Sequence, residues 1–462
     1  MRQPAAPASS ASNPRAAGPG GPVWSRLQSC ASRALRHQLL RLLLSAALAV
    51  AGLEACRRRA PDDADPPAKE AGGDVRVVLA MQPLWGPAEP FRSLLREFER
   101  AHPGVAVEVR TLPNASDLTY QAFLTAFGGG AREPDVFVLD VVWLAGFARA
   151  GWLESLGDDT LLRGTFLPSA VDAAVWQART WAIPWFVDVG LLYRRTDLVP
   201  DAPATFAELE DSARAAMATR PGLQGFLWQG RQYEGLTCNA LEAIWGHGGE
   251  GGAPGRLTLN SPEAIAGLTW LRHTVASGLS PPSTTSAAEE EARRGFQQGG
   301  AVFMRNWPYA WAQLQAEGSP VRGKVGVSAL PTLSGAPGHG ALGGWLLGLN
   351  PRSLQERREA SRALLAHLTS KEAAVVLAVH YARLPAREDA YSDPRVTGAV
   401  PFLASLKPLV SAARARPVTP YYSLLADAVQ GSFSSAVTGV AAPREALDEG
   451  QRLADALMGA PP

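Results

Sequence analysis

Trp181–Arg195 reads WAIPWFVDVGLLYRR. It divides into a short extended piece, an aromatic turn at Pro184–Trp185–Phe186, one carboxylate at Asp188, and an apolar run from Val189 to Tyr193 with the composition of a buried strand. An acidic side chain set among aromatic rings costs free energy unless a polar partner satisfies it. The stretch therefore predicts a cleft in which an acid and flat rings meet a hydroxylated ligand.

Upstream, the apolar spacing is that of an α/β unit. Val75–Ala80 (VRVVLA) has the composition of a buried strand, and Phe91, Leu94, Leu95 and Phe98 fall at i, i+3, i+4 and i+7 on one helical face. Val105, Val107 and Val109 alternate with Ala106, Glu108 and Arg110 as a half-buried strand does. Strand, helix and strand in succession make a βαβ unit. A helix over Tyr120–Phe127 stops at Gly128–Gly130, and the next strand, Asp135–Asp140, puts Asp140 at a strand's carboxyl end, where open α/β sheets take their ligands.

Downstream the pattern restarts. Thr205 with Glu208 forms a capping box, Ser261–Pro262–Glu263 opens another helix, and Val325–Leu330 is strand-like. A Gly-rich turn runs from Pro331 to Gly344, helices are expected over Leu354–Leu368, Lys371–His380 and Arg444–Met458, and Leu384–Pro385–Ala386 breaks the chain between them.

At 462 residues, 46% hydrophobic and 19% charged, the chain exceeds a single core. Its 44 basic and 43 acidic residues give a net charge of +1, which offers no electrostatic attraction for nucleic acid. Of Cys30, Cys56 and Cys238 only the last falls in the folded part, so there is no disulfide framework. With seven scattered histidines and neither CxxC nor HExxH, no metal and no cofactor is expected. Gly338–Gly343 fits GxGxxG, but it leads into a strand and lacks the acidic ribose partner, so it is not a dinucleotide fingerprint. Asn114–Ala115–Ser116 is a formal glycosylation sequon to which no role is assigned.

The N-terminal region is of another kind. Residues 1 to about 32 are rich in Ala, Pro, Ser and Gly and cannot bury a core. Arg33, Arg36 and Arg41 precede Leu42–Gly52, an apolar run of signal-peptide length that is too short to anchor as a membrane span. Leu53–Glu54–Ala55–Cys56 resembles a bacterial lipoprotein cleavage box with Cys56 as the lipidated residue. Glu54 stands where a small residue is usual, so ordinary secretory cleavage is the alternative. Residues 57–73 read as a solvated tether of roughly 20–25 Å. The expected location is extracytoplasmic (periplasmic), with the chain anchored to the membrane through Cys56.

Several segments, in order, resemble one family: FERAHPGVAVEV (98–109), PDVFVLDVVWLAGFARAGWLESL (134–156), GFLWQGRQYEGLTCNALEAIWGHGG (225–249), FMRNWPYAW (303–311), LGGWLLGL (342–349) and RPVTPYYSLLADAVQ (416–430). The family is the extracellular sugar-binding proteins of ABC importers, in the trehalose/maltose-binding branch, and the resemblance covers roughly residues 75–440. It implies an α/β, two-lobed clamp of the periplasmic-binding-protein type II, with the ligand cleft between lobes. The crossings implied are near Phe186–Val189, Ala329–Thr332 and Leu384–Arg387. After a leader with signal peptide and lipobox at 1–56 and the tether at 57–73, lobe 1 would take 74–187 with 331–384 and lobe 2 would take 188–330 with 385–462. The partners implied are a disaccharide or short oligosaccharide and an ABC permease, for a monomeric protein that is not an enzyme.

A pyranose has a rim of hydroxyls and two C–H faces, which calls for carboxylates and amides at the rim and flat rings against the faces. The rim candidates are Asp140, Asp188, Glu234, Asn306 and Arg416, and the ring candidates are Trp143, Trp185, Tyr233, Trp307 and Trp345. Gly343 and Gly344 would let backbone approach the sugar. Asp140, Asp188, Trp307, Gly344, Trp345 and Arg416 match positions at which the family touches its disaccharide. The family often presents a polar contact from the first strand-to-helix loop, here Met81–Pro90 (MQPLWGPAEP), which carries Trp85 and offers only Gln82 and Glu89 as polar groups.

Alternative roles stand beside these. Asp140 can cap a helix near Val142, Asp188 can pair with Arg194 or Arg195, Trp307 can be core, Arg416 can be an exposed loop residue, and Tyr233 rather than Glu234 can be the contact. Trp228 and Trp245 read as core, and Cys238 as a small buried hydrophobe. One alternative is a binding protein for another oligosaccharide or a polyol; a secreted glycosidase is the rival from another class, since two carboxyl groups roughly 5–9.5 Å apart hydrolyse a glycosidic bond.

Overall fold

The computed structural model describes residues 75–160, 162–250 and 257–458. The expected leader, the lipidation site at Cys56 and the tether lie outside the described residues.

Two sheets organise the chain. The first runs β12–β6–β11–β3–β1–β2, with β1 at Val75–Met81, β2 at Val105–Thr111, β3 at Val136–Asp140, β6 at Ile183–Val189, β11 at Leu342–Leu349 and β12 at Leu384–Pro385. The second runs β10–β7–β9–β8, with β7 at Leu191–Arg195, β8 at Gln224–Leu227, β9 at Ala301–Asn306 and β10 at Val325–Ser328. A small hairpin pairs β4 (Val175–Trp176) with β5 (Arg179–Thr180).

The expected βαβ unit is present. β1 and β2 pair in parallel across the helix Ala88–Ala101, whose buried residues are Phe91, Leu94, Leu95 and Phe98. β2 is the sheet's edge, which leaves Val109 40% exposed. The Thr205 capping box and the Ser261 cap also form as the sequence predicts.

Trp181–Arg195 folds differently from its expected turn and strand. Pro184, Trp185 and Phe186 lie inside β6, buried, so the aromatic triplet is strand and not turn. The break falls at Gly190, where the chain leaves the first sheet and enters the second. A Cβ on Gly190 would lie 1.9 Å from Glu242 Oε1 and 2.6 Å from Arg305 Nη2. Those two side chains are a buried ion pair, with Arg305 Nε donating to Glu242 at 2.8 Å. Ala341 N also donates to Glu242 at 2.9 Å, and a Cβ on Gly340 would meet Gly190 O at 2.4 Å. Two crossing segments thus pass each other at backbone contact, over one buried charge pair.

The C-terminal packing differs from the expected division. The helix Phe402–Ser411 lies against β6 and the helix Pro168–Ala174, so the chain beyond Pro385 stays with the first sheet as far as Ser411. It then runs beside β11, with Leu342 N donating to Arg414 O at 2.7 Å and Arg414 N to Gly340 O at 3.0 Å. The helices Tyr422–Thr438 and Pro443–Met458 pack with Glu234–Gly246 and Pro262–Ala276, in a core that includes Trp228, Trp245 and Cys238. Among the described residues no helix is long and apolar enough to cross a membrane.

Gly190→Ala should cost about 3–5 kcal/mol of stability, because the methyl cannot fit without parting the Glu242–Arg305 pair. Chemical denaturation measures this; a loss under about 1 kcal/mol, within the range of an ordinary surface change, would contradict the packing.

Candidate functional site

Strand register assembles the site. In the first sheet β11 lies between β3 and β6, with Trp345 opposite Asp140 on one side and Phe186 on the other, and Gly343 opposite Asp188. Gly344 has φ +140, and a Cβ there would meet Phe186 O at 2.8 Å, so only glycine fits this irregular point of the strand. A Cβ on Gly343 would come within 3.2 Å of Asp188 Cβ and 3.3 Å of the Trp307 ring. The absence of side chains at 343 and 344 brings a ring carried by the second sheet's β9 end close to a carboxylate of the first.

These residues line one cleft, with about 930 Å³ of empty space when its open mouth is included. Asp140, Asp188, Glu234 and Arg416 are in its wall. So are Trp185, Tyr233, Trp307 and Trp345, with Gly343 and Gly344. Trp307 and Trp345 are half-buried, leaving part of each ring open, whereas Trp185 and Tyr233 are 3% and 5% exposed.

Trp143 and Asn306 are not in that wall. Trp143 backs Trp345 edge-on, at 5.8 Å and 84°, from inside the cluster of Tyr120, Phe123 and Phe147. Asn306 is fully buried; its amide donates to Glu289 O at 3.1 Å and its Oδ1 accepts from Trp307 N at 2.8 Å. It fixes the turn that carries Trp307.

Arg416 is buried, not an exposed loop residue. One arm donates to Glu234 Oε1 at 2.8 Å and the other to Asp140 Oδ1 at 3.0 Å. Asp140 Oδ1 also accepts from Val142 N at 3.2 Å, so it caps the turn Val141–Trp143 while holding Arg416. Glu234, at the start of the helix Glu234–Gly246, further accepts from the Tyr422 hydroxyl.

Asp188 pairs with neither candidate arginine, since Arg194 donates to Pro200 O and Arg195 to Asp197. Its charged neighbour is Arg383, Nη1 to Oδ2 at 3.7 Å. Burial pushes the Asp188 carboxyl up to about 6, against the opposing pull of Arg383 and with the support of the Asp140 charge.

Sequence reasoning missed Arg383, Glu289 and Tyr309, all in the cleft wall. Glu289 accepts from Trp307 Nε1 at 3.4 Å, and Arg305 lies under the Trp307 ring, 3.9 Å from its centroid. Arg383 follows a helix end and precedes a two-residue strand, so no periodic signal marks it. From the first loop, Gln82 and Trp85 reach the cleft, Gln82 Nε2 donates to Thr119 Oγ1 at 3.2 Å, and Trp85 O accepts from Gln313 at 3.3 Å. Glu89 is instead exposed, ion-paired to Arg96 on its own helix.

Several buried polar atoms of this wall have no hydrogen-bond partner among the described residues: Trp185 Nε1, Asp188 Oδ1, Arg383 Nε and Arg416 Nε. Native interiors satisfy nearly all such atoms, so a cluster of exceptions around one cleft is a feature of this wall that calls for an explanation.

Two sheets joined by crossing strands, with a walled cleft assembled from groups carried on both, define a two-lobed α/β clamp of the periplasmic-binding-protein type II. The chain belongs to the bacterial extracellular solute-binding protein family, which it matches over residues 85–375. It is 35% identical over 366 residues to a probable ABC transporter-binding protein of Deinococcus radiodurans, covering 75% of this chain and 86% of that one. It is 24% identical over 387 residues to a maltooligosaccharide ABC transporter solute-binding lipoprotein of Streptococcus pneumoniae, covering 80% and 87%. Among solved structures, the maltose-bound MalE3 of T. maritima superposes with a TM-score of 0.78 at 36% identity, covering 83% of this chain and 99% of that one.

Arg416→Met would leave Asp140 and Glu234 buried without their counter-charge, and should cost about 3–5 kcal/mol in denaturant unfolding. Asp188 yields a test of opposite sign. Its folded-state value of about 6 exceeds the ordinary 3.8, so ionised Asp188 disfavours the fold above pH 6, and that cost disappears as pH falls through 6 toward 4. The ligand-free Asp188→Asn protein should therefore melt higher than the parent at pH 8, with the gap closing toward pH 4. A variant that melts lower at pH 8 would remove this account of Asp188.

Proposed function

We propose that this protein is an extracytoplasmic sugar-binding component of an ABC importer, one that captures a disaccharide or short oligosaccharide of the maltose/trehalose kind and delivers it to a membrane permease. The observation that carries the reading is the convergence, in one cleft, of half-open indole rings and buried polar atoms without partners, contributed by both sheets. A sugar offers the complement: C–H faces for Trp307 and Trp345, and hydroxyls for Asp188, Arg383 and the backbone at Gly343–Gly344. The relatives point the same way: the T. maritima protein is maltose-bound, and the S. pneumoniae protein is a maltooligosaccharide ABC transporter solute-binding lipoprotein. Anchoring through a lipidated Cys56 and a monomeric state belong to this proposal.

Within it, lobe 1 holds the first sheet with the helices up to Ser411, and lobe 2 holds the second sheet with the helices from Tyr422. The mechanism is a population shift. A ligand that contacts groups of both lobes binds the closed form better by the contacts an open form cannot make, and that difference sets how far closure is favoured. Asp140, Glu234 and Arg416 act here as a frame joined by its own ion pairs, with Arg416 Nε left for the ligand. Asp188, Trp307 and Trp345 carry the recognition.

Isothermal titration of the purified protein against maltose, trehalose, maltotriose, sucrose and ribitol tests the reading, with binding expected for at least one of the glucosides. Asp188→Ala should weaken that binding by about 2–3 kcal/mol, and Trp345→Ala by at least as much while the fold is retained. Absence of binding to every saccharide would overturn the proposal, and steady release of glucose from any of them would replace binding with hydrolysis.

A further inference from the structure

Arg383 is placed by an unusual piece of backbone. The helix Lys371–Tyr381 ends at Ala382, which is fully buried and left-handed, with φ 50 and ψ 34. A non-glycine residue adopts that conformation at some cost, and it reverses the chain into β12. There Leu384 pairs with Val187 and Pro385 with Phe186, an antiparallel register whose next step sets Arg383 beside Asp188. The guanidinium is held over the Phe186 ring, 4.6 Å from its centroid, and lies 5.4 Å from that of Tyr309.

The two charges stop short of each other. Arg383 and Asp188 are 7% and 5% exposed, and 3.7 Å separates Nη1 from Oδ2, too long for a hydrogen bond. Arg383 Nε and Asp188 Oδ1 have no hydrogen-bond partner among the described residues. A buried pair this loosely closed gains little from its Coulomb attraction relative to the desolvation of both ions. A group that donates to the carboxylate and accepts from the guanidinium satisfies both, and a neutral hydroxyl does each. An ammonium at that point would face Arg383, and a carboxylate would face Asp188.

We propose that Arg383 is a specificity-determining residue of the sugar cleft: with Asp188 it holds one ligand hydroxyl and selects a neutral saccharide over amino sugars and sugar acids. The inference rests on the sugar-binding reading given above. Arg383 also acts on Asp188, which is faced by the charges of Arg383, Asp140 and Arg305 and by the Tyr193 hydroxyl. Without Arg383 the Asp188 carboxyl rises further, so binding is lost at a higher pH than in the parent.

The test titrates the mature protein and its Arg383→Met and Arg383→Lys variants with maltose from pH 5 to pH 8, with maltose analogues carrying an amine or a carboxylate in place of one hydroxyl as competitors. Ligand-free melting curves establish that each variant folds. The expected result is a loss of about tenfold to a hundredfold in maltose affinity for Arg383→Met, a smaller loss for Arg383→Lys, and a pH midpoint for binding displaced upward in Arg383→Met. If Arg383→Met does not fold, a Lys variant that keeps the charge without the planar fork must still lose affinity. Parental affinity and an unmoved midpoint in a folded variant would overturn the inference. So would charged analogues that all bind the parent as tightly as maltose. A parent protein that binds no saccharide is a separate outcome, which removes the sugar reading and this inference together.

Discussion

The guanidinium of Arg416 ties two distant parts of this molecule together. Its two arms hold Asp140, at the end of β3 in the first sheet, and Glu234, at the start of a helix packed with the second sheet's layer. All three are nearly excluded from water, where an unpaired charge costs several kcal/mol, so none can move without the others. Both carboxylates are thereby held at one end of the cleft. The planar fork of arginine suits this work, since it presents several donors in fixed directions.

With those charges satisfied internally, what remains unsatisfied in the wall acquires meaning. Asp188 carries an oxygen without a partner and a raised affinity for its proton, because its environment favours the neutral form more than Arg383 favours the charged one. The rings are held firmly. Trp307 rests on Arg305, itself locked to Glu242, and Trp345 is braced edge-on by Trp143. Rigid ring platforms lose little conformational entropy when a ligand settles on them.

The crossing point obeys the same logic from below. Gly190 and Gly340 let two segments pass at backbone distance above the Glu242–Arg305 pair. That pair also supports Trp307, so the place where the chain changes sheets and the wall of the cleft share one structural element. A change in the angle between sheets would be felt at the ring by direct packing.

Local periodicity determined much by itself. The helix face of Phe91, Leu94, Leu95 and Phe98, the βαβ unit, the placement of Asp140 at a strand end, and the caps at Thr205 and Ser261 all follow from spacing that needs no distant partner. The acidic and aromatic character of the cleft was legible too, because burying Asp188 among rings is costly enough to signal a purpose. What only the tertiary structure decided is which residues meet. Arg383 was invisible because its importance comes from the register of β12 against β6. Trp143 and Asn306 have the right chemistry but stand one layer behind the surface, and Pro184–Phe186 became strand because β11 and β12 pair on either side of it. A sequence specifies the period of each element; the meeting of side chains hundreds of positions apart depends on strand order and crossing geometry, which are set by the packing of the whole chain.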